Sequence, residues 1–254
     1  MGWGKFIKII INNYKLIKKY MFQPKTLNLI KDATVSNATS WILTVSDVGI
    51  DTQTITIGGV VFTTVNPIGT TAGNVLLGAN QAATLTNLTT LINDPLTSTT
   101  TGIALSAADA ATIKRLGIVA TTTATAMTLT STNGSTFSVS ETETNFAWTS
   151  VYTSQKFSSG PVGKVSLQMT RSGHSSGSGT FVVEASNDGS NWATYSKITS
   201  NATNTNSQTD VRVASVALSS NTTVLATLPE PYAFYRVVLT MVTDGTHQCL
   251  AYTS

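Results

Sequence analysis

The stretch TQTITIGGVVFTTV, residues 52–65, decides how the chain is read. Ile55 and Ile57 fall on one face of an alternating run, and Gly58 and Gly59 follow as a pair that can both take positive φ. Two such residues between two β-branched runs predict a tight hairpin. Threonine suits these strands, because its β-branch fits the pleat while its hydroxyl tolerates water. Downstream, NQAATLTNLTTLIND places Leu85, Leu88, Leu91 and Ile92 at helical spacing, with Asn80 as N-cap and Pro95 as stop. Ser106 and Asp109 form a capping-box-like pair ahead of AATIKRL, and Gly117 stands where that helix ends. The run TAMTLTSTNGSTFSVSET predicts a second hairpin, in which Met127 and Leu129 face Phe137 and Val139 across the Asn133-Gly134 turn. Hairpin, helix, helix, hairpin describes one α+β module over residues 33–150.

FAWTSVYTSQKFSSGPVG, residues 146–163, reads as a linker, with the linker proper at 151–163. Beyond it every signal is β: KVSLQMT, TFVVEAS, DVRVASV, TVLATL, YAFYRVVLTMV and QCLAYT, separated by turns. Val165, Leu167 and Met169 alternate in the first, and Phe181, Val183 and Ala185 in the second. Six or seven short strands at this spacing predict a β-sandwich or jelly roll over 164–254. The expected fold is therefore mainly β with a smaller α+β module. Composition agrees. Of 254 residues, 46 are Thr and 27 are Ser, and only 11% are charged. Low charge excludes the charged disordered class.

The net charge of +3 averages two unlike parts. Lys5, Lys8, Lys15, Lys18, Lys19, Lys25 and Lys31 precede the first acid, Asp32, and from there on 8 basic residues meet 12 acidic ones. The folded body is mildly acidic and shows no basic stripe, so a nucleic-acid partner is not expected. Residues 1–32 read as a basic leader or N-terminal arm. A helix there would carry Lys5, Lys8, Asn12, Lys15 and Lys19 on one stripe and Phe6, Ile10, Ile17 and Met21 opposite, fit for an anionic membrane or an acidic partner. The competing reading starts translation at Met21 and gives residues 1–20 no role.

No catalytic set emerges. His174 lies in the Gly/Ser loop RSGHSSGSG, where nothing would fix its ring, and no nucleophile elbow accompanies any serine. His247 and Cys249 share a strand face without further ligands, which reads as packing. Glu141 and Glu143 read as a wet strand face, and Asp188 as a turn residue, far short of a calcium ligand set. Neither cofactor nor metal is expected. The densest aromatic set is Trp192, Tyr195, Tyr232, Phe234 and Tyr235, with Arg236 beside it. Aromatic faces stack on sugar rings and anchor interfaces, so Trp192, Tyr195, Tyr232, Tyr235, Arg236, Asn187 and Asp188 are the candidate ligand or interface residues. A core role competes for Phe234 and one of its neighbours.

FVVEASNDGSNWATY, residues 181–195, with YAFYRVVLTM, residues 232–241, resembles the strand-turn-strand and aromatic-Tyr-Arg signature of discoidin-like and carbohydrate-binding-module jelly rolls. The resemblance implies that Glu184 points outward, that Asn187, Asp188 and Gly189 make the turn, and that Trp192 packs or lines the rim. Residues 52–144 resemble a Thr/Ala-rich module of tailed-bacteriophage virion proteins found in tails, fibres and capsid decorations. Together they imply a non-enzymatic structural component of a phage particle, assembled in the host cytoplasm, whose partners are copies of itself and other virion proteins. The alternative is a carbohydrate-binding adhesin or host-receptor-binding protein at a cell surface, reading a glycan through its C-terminal module.

Overall fold

A computed structural model describes residues 25–34, 38–159, 163–173, 177–200, 211–241 and 245–253. The described chain is mainly β with a small helical part. It forms two units: a helical one from residues 33–152 with 240–241, and an all-β one from residues 25–32, 153–239 and 245–253. β1 (Lys25–Ala33) comes first. The helical unit then runs β2 (Ser40–Val45), β3 (Thr54–Ile57), β4 (Val60–Val65), β5 (Asn74–Leu76), α1 (Gln81–Asn93), α2 (Ala107–Leu116), β6 (Ile118–Thr122), β7 (Ala126–Ser131), β8 (Val139–Glu141) and β9 (Phe146–Thr153). The all-β unit continues with β10 (Val165–Ser172), β11 (Gly179–Ser186), β12 (Ala193–Thr194), β13 (Ile198–Ser200), β14 (Val211–Val213), β15 (Ser215–Leu218), β16 (Thr222–Leu228), β17 (Phe234–Met241) and β18 (Thr246–Thr253).

In the helical unit β3 and β4 form the expected hairpin, with φ of 58° at Gly58 and 86° at Gly59. A Cβ added at Gly58 would sit 2.4 Å from Leu116 Cδ1, so packing as well as the turn excludes a side chain there. The order β5-β4-β3-β8 makes one sheet, and β9, β2, β7 and β6 are neighbours in another. Both helices start and stop as read. Asn80 Oδ1 accepts from Ala83 N, Ser106 Oγ accepts from Asp109 N, and Gly117 closes α2 at φ 64°. Leu85, Leu88, Leu91 and Ile92 join Ile55, Ile57, Phe62, Leu43 and Met127 in the core. Each such apolar side chain, fully buried, stabilises by roughly 1.5–3 kcal/mol.

Three expectations fail here. Asn133-Gly134 does not join a hairpin: β7 pairs with β2 and β6, while β8 pairs with β3. Asn133 is used otherwise, its Nδ2 donating to Arg115 O and its Oδ1 accepting from Ser131 Oγ, and this ties the turn to the end of α2. Residues 146–153 are not linker but β9, paired with β2 along Phe146–Val151 and burying Phe146, Trp148 and Ser150. Glu141 and Glu143 are not a wet face. Glu143 is buried and accepts from the N–H groups of Ile50 and Asn145, and partial burial raises the Glu141 carboxyl above its ordinary value.

The all-β unit is a sandwich. One sheet has the order β1-β18-β10-β16-β13-β14, and the other comprises β12, β11 and β17 with β15 on β11. Val165, Leu167, Met169, Val224, Ala226, Leu228, Cys249 and Ala251 are buried from the first; Phe181, Val183, Val216, Leu218, Val237 and Leu239 from the second. The leader's assigned end at residue 32 is thus corrected, because residues 25–33 are a strand of this sheet. The helix expected over residues 1–21 lies outside the described residues, as does His174. Residues 154–157, assigned to the linker, are hydrogen-bonded along β17: Ser154 N donates to Val237 O, and Phe157 and Tyr235 exchange two backbone bonds.

His247 and Cys249 pack in the sandwich as their alternation suggests, and burial pushes the Cys249 thiol up to about 12. A Cβ added at Gly179 would sit 2.2 Å from His247 Nε2, so glycine makes the space for that imidazole. Opposite His247 in register is Arg171, 1% exposed, whose Nη1 donates at 2.8 Å to Gly177 O and to Leu218 O. Among the described residues no helix is long and apolar enough to cross a membrane.

Candidate functional site

The seven candidate residues gather in the all-β unit, but they divide into a turn pair, an aromatic set beneath the loop before β17, and a surface set. Asp188 organises the turn that follows β11. Its Oδ1 accepts from Ser190 N and Asn191 N at 2.8 Å and from Ser186 Oγ at 2.9 Å, and its Oδ2 from Asn191 Nδ2 at 2.7 Å. The Asn191 and Ser190 backbone donors hold its carboxyl well below the usual carboxylate range. With its lone pairs spent inside the turn, Asp188 is a positioning residue. Asn187 beside it is exposed. Gly189, at φ 71°, brings the turn against Phe234 and Lys156, where an added Cβ would lie 3.3 Å from Phe234 Cδ2 and 3.0 Å from Lys156 Nζ.

Tyr195 and Tyr235 belong to the core, at 4% and 0% exposure, so neither offers a face to a ligand. Alternation correctly separates Phe234 from Tyr235, but the inward member is Tyr235 and Phe234 is half-buried. The reason is polar. Tyr235 Oη donates to Glu230 O and accepts from Tyr232 N, and Tyr195 Oη accepts from Glu230 N, so the two phenols fasten the loop before β17 from beneath. Tyr232 completes an edge-to-face trio, with centroids 5.9 Å from Tyr195 and 6.2 Å from Tyr235. Desolvation raises the Tyr195 and Tyr235 hydroxyls above their ordinary values. The cleft above them, lined by Tyr195, Lys197, Glu230 and Tyr232, has a volume of about 110 Å³, well short of the roughly 300 Å³ at which small-molecule sites begin.

The remaining two candidates form the surface set. Arg236 Cζ lies 4.4 Å from the centre of the Trp192 ring, and Arg236 Nε is ion-paired with Glu184 Oε2. Two residues earlier on the same strand face, Phe234 carries Lys156 Nζ 5.1 Å from its ring centre. Glu184 is on the outward side of β11, as the resemblance implies, and Trp192 is half-buried against Arg236. Lys156 is the member that sequence reasoning missed, since it stood in the assigned linker.

A second concavity, open and of about 470 Å³, lies in the helical unit among Asp47, Val48, Asn80, Gln81, Ala124 and Thr125. Its polar groups serve the fold: Asp47 Oδ1 accepts from Val48 N, and Asn80 caps α1. Among the described residues no group of three or more His, Cys, Asp and Glu is placed to hold a metal ion. No family model matches the chain, and neither a curated protein nor a solved structure is significantly similar to it.

Proposed function

We propose that the chain is a non-enzymatic structural protein of a tailed-phage particle, assembling with copies of itself through outward β-sheet faces. The observation that carries this reading is the outer face of β18, β10 and β16. Register places Leu225, Gln168 and Leu250 in one row across the three strands, and Thr227, Ser166 and Tyr252 in the next. Leu225 is 54% exposed and Tyr252 39%, and the outward residues of these three strands include no charge. Charge depletion around apolar anchors is what the centre of a lasting interface requires. These three strands of seven or eight residues present on the order of 400 Å², about half of the ~800 Å² per partner of a standard interface, so the face serves as the centre of a larger contact.

Sedimentation equilibrium of the purified chain, with peptide mapping of particles from its source, tests the reading. A defined homo-oligomer present in the particles is expected, and Leu225→Glu should dissociate it. A stable monomer absent from particles would end the proposal.

A further inference from the structure

A second surface, independent of that assembly reading, is the edge of β1. This strand runs nine residues, Lys25–Ala33, without proline or glycine, and stands last in its sheet with β18 as its one described neighbour. Such an edge presents a row of backbone donors and acceptors to any strand that can lie along it. Beside it runs a cleft of about 130 Å³, lined by Leu27, Asn28 and Leu29 from β1 and by Gln155, Lys156 and Phe157. The far wall does not close onto β1, because the Phe157 backbone exchanges both its bonds with Tyr235.

The side chains narrow the partner. Period two puts Lys25, Leu27, Leu29 and Lys31 on one side of the strand. The leucines are half-buried and both lysines are exposed. Asp32, the acid nearest to them, accepts from Gln248 Nε2, and Lys156 adds a third cation at the cleft. A second copy of β1 does not fit: the antiparallel register that opposes Leu27 to Leu29 also opposes Lys25 to Lys31, and like charges directly opposite destabilise a strand pair. A segment with an acid on each side of an apolar pair gains at all four positions. We infer that the β1 edge takes up an extended segment of another protein as an added strand, of pattern acid-x-apolar-x-apolar-x-acid, with backbone bonds holding the strand and Lys25 and Lys31 selecting its acids.

The test uses the full chain and fluorescein-labelled Thr-Glu-Thr-Val-Thr-Val-Thr-Glu-Thr, with Thr-Lys-Thr-Val-Thr-Val-Thr-Lys-Thr as the basic counterpart, by fluorescence anisotropy. The acidic peptide should bind at least tenfold more tightly than the basic one. Lys25→Glu combined with Lys31→Glu should reverse that preference, and since both side chains are exposed the fold survives the exchange. Backbone bonding is read separately from charge. Only alternate residues of an added strand turn their N–H groups toward β1, so of two acidic peptides N-methylated on the two alternating residue sets, one should keep its affinity and the other lose at least tenfold. Leu225→Glu, on the face proposed for assembly, should change nothing. Equal affinity for the acidic and basic peptides, no affinity for either, or a preference unmoved by the double exchange would overturn the inference, as would equal binding of the two N-methylated peptides. A peptide of the chain's own residues 25–33 bound as tightly as the acidic one would overturn the choice of partner.

Discussion

The two units aim their polar side chains in opposite directions. In the helical unit they turn onto the backbone. Asn87 Nδ2 donates to Leu76 O, Thr84 Oγ1 to Val48 O, and Glu143 accepts from two backbone N–H groups. Asn93 does most, donating to Ala120 O and accepting from Ala120 N at 2.9 Å each, so one side-chain amide stands where a further strand would pair with β6. That strand is last in its sheet, and an edge closed in this way resists pairing with another chain. In the all-β unit charged groups lie outward, as Arg236 with Glu184, Lys197 with Glu230, and Lys156 over Phe234. One unit spends its polarity on closure, and the other displays it. Asp188 is held within its own turn, and Arg171 is the inward exception, reaching Gly177 O and Leu218 O.

That exception gives the largest expected effect. Arg171→Ala strands two carbonyls and leaves a cavity in the sandwich, so the all-β unit should lose about 3–5 kcal/mol. Denaturant unfolding followed by Cys249 labelling measures it, because the thiol is buried in the native state. A loss below about 1 kcal/mol would mean that Arg171 is peripheral to the sandwich after all.

Alkaline pH should separate the units. Cys249 in the all-β unit is raised from 9.0 to about 12, and Tyr152 in the helical unit from 10.0 to about 12, both mainly by desolvation. A raised pKa means that the folded state keeps a proton the unfolded chain gives up, so the stabilisation is complete below the unfolded value and drains away above it. The all-β unit should therefore weaken from about pH 9, by on the order of 1.4 kcal/mol per unit until pH 12. The helical unit follows only from about pH 10, and less steeply, since Tyr152 is half-exposed. Cys249→Ser should flatten the first slope. Unfolding curves for the two units that coincide from pH 8 to 12 would remove this difference between them.

Asn93→Ala should cost the helical unit about 1–2 kcal/mol, since it takes the partner from both backbone groups of the buried Ala120. It should also open the β6 edge, and light scattering should then show association that the parent chain lacks.

This edge device also marks where sequence reading stops. The β3–β4 hairpin and both helix boundaries were legible because each rests on residues within four positions of one another: Gly58 with Gly59, Asn80 with Ala83, Ser106 with Asp109. Asn133-Gly134 carried the same local signal and failed, since the partner of β7 is chosen by β2, nearly 90 residues earlier. Alternation separated Phe234 from Tyr235 without saying which faces inward, because the deciding partners, Glu230 and Tyr232, belong to a loop. Arg236 with Trp192 was legible as a neighbourhood. Its anchor Glu184 was legible only as an outward residue, and Lys156 not at all, because pairing across strands leaves no period in the chain.

The smallest effect sharpens the contrast most. Glu184→Gln removes the partner of a guanidinium that is 30% exposed, and ion pairs in that setting contribute roughly 0.2–1 kcal/mol. Its melting temperature should fall by no more than about 4–8 °C, the shift that a loss of about 1 kcal/mol produces in a domain of roughly 100 residues. Asn93→Ala, a change of similar size at a more exposed position, should lower it by more. If Glu184→Gln proves the costlier of the two, the Arg236 pair is part of what holds the sandwich together, and the division between a closing unit and a displaying one does not stand. If the ordering holds, the outward charges are dispensable for folding, and their arrangement on the sheet face is left for binding to explain.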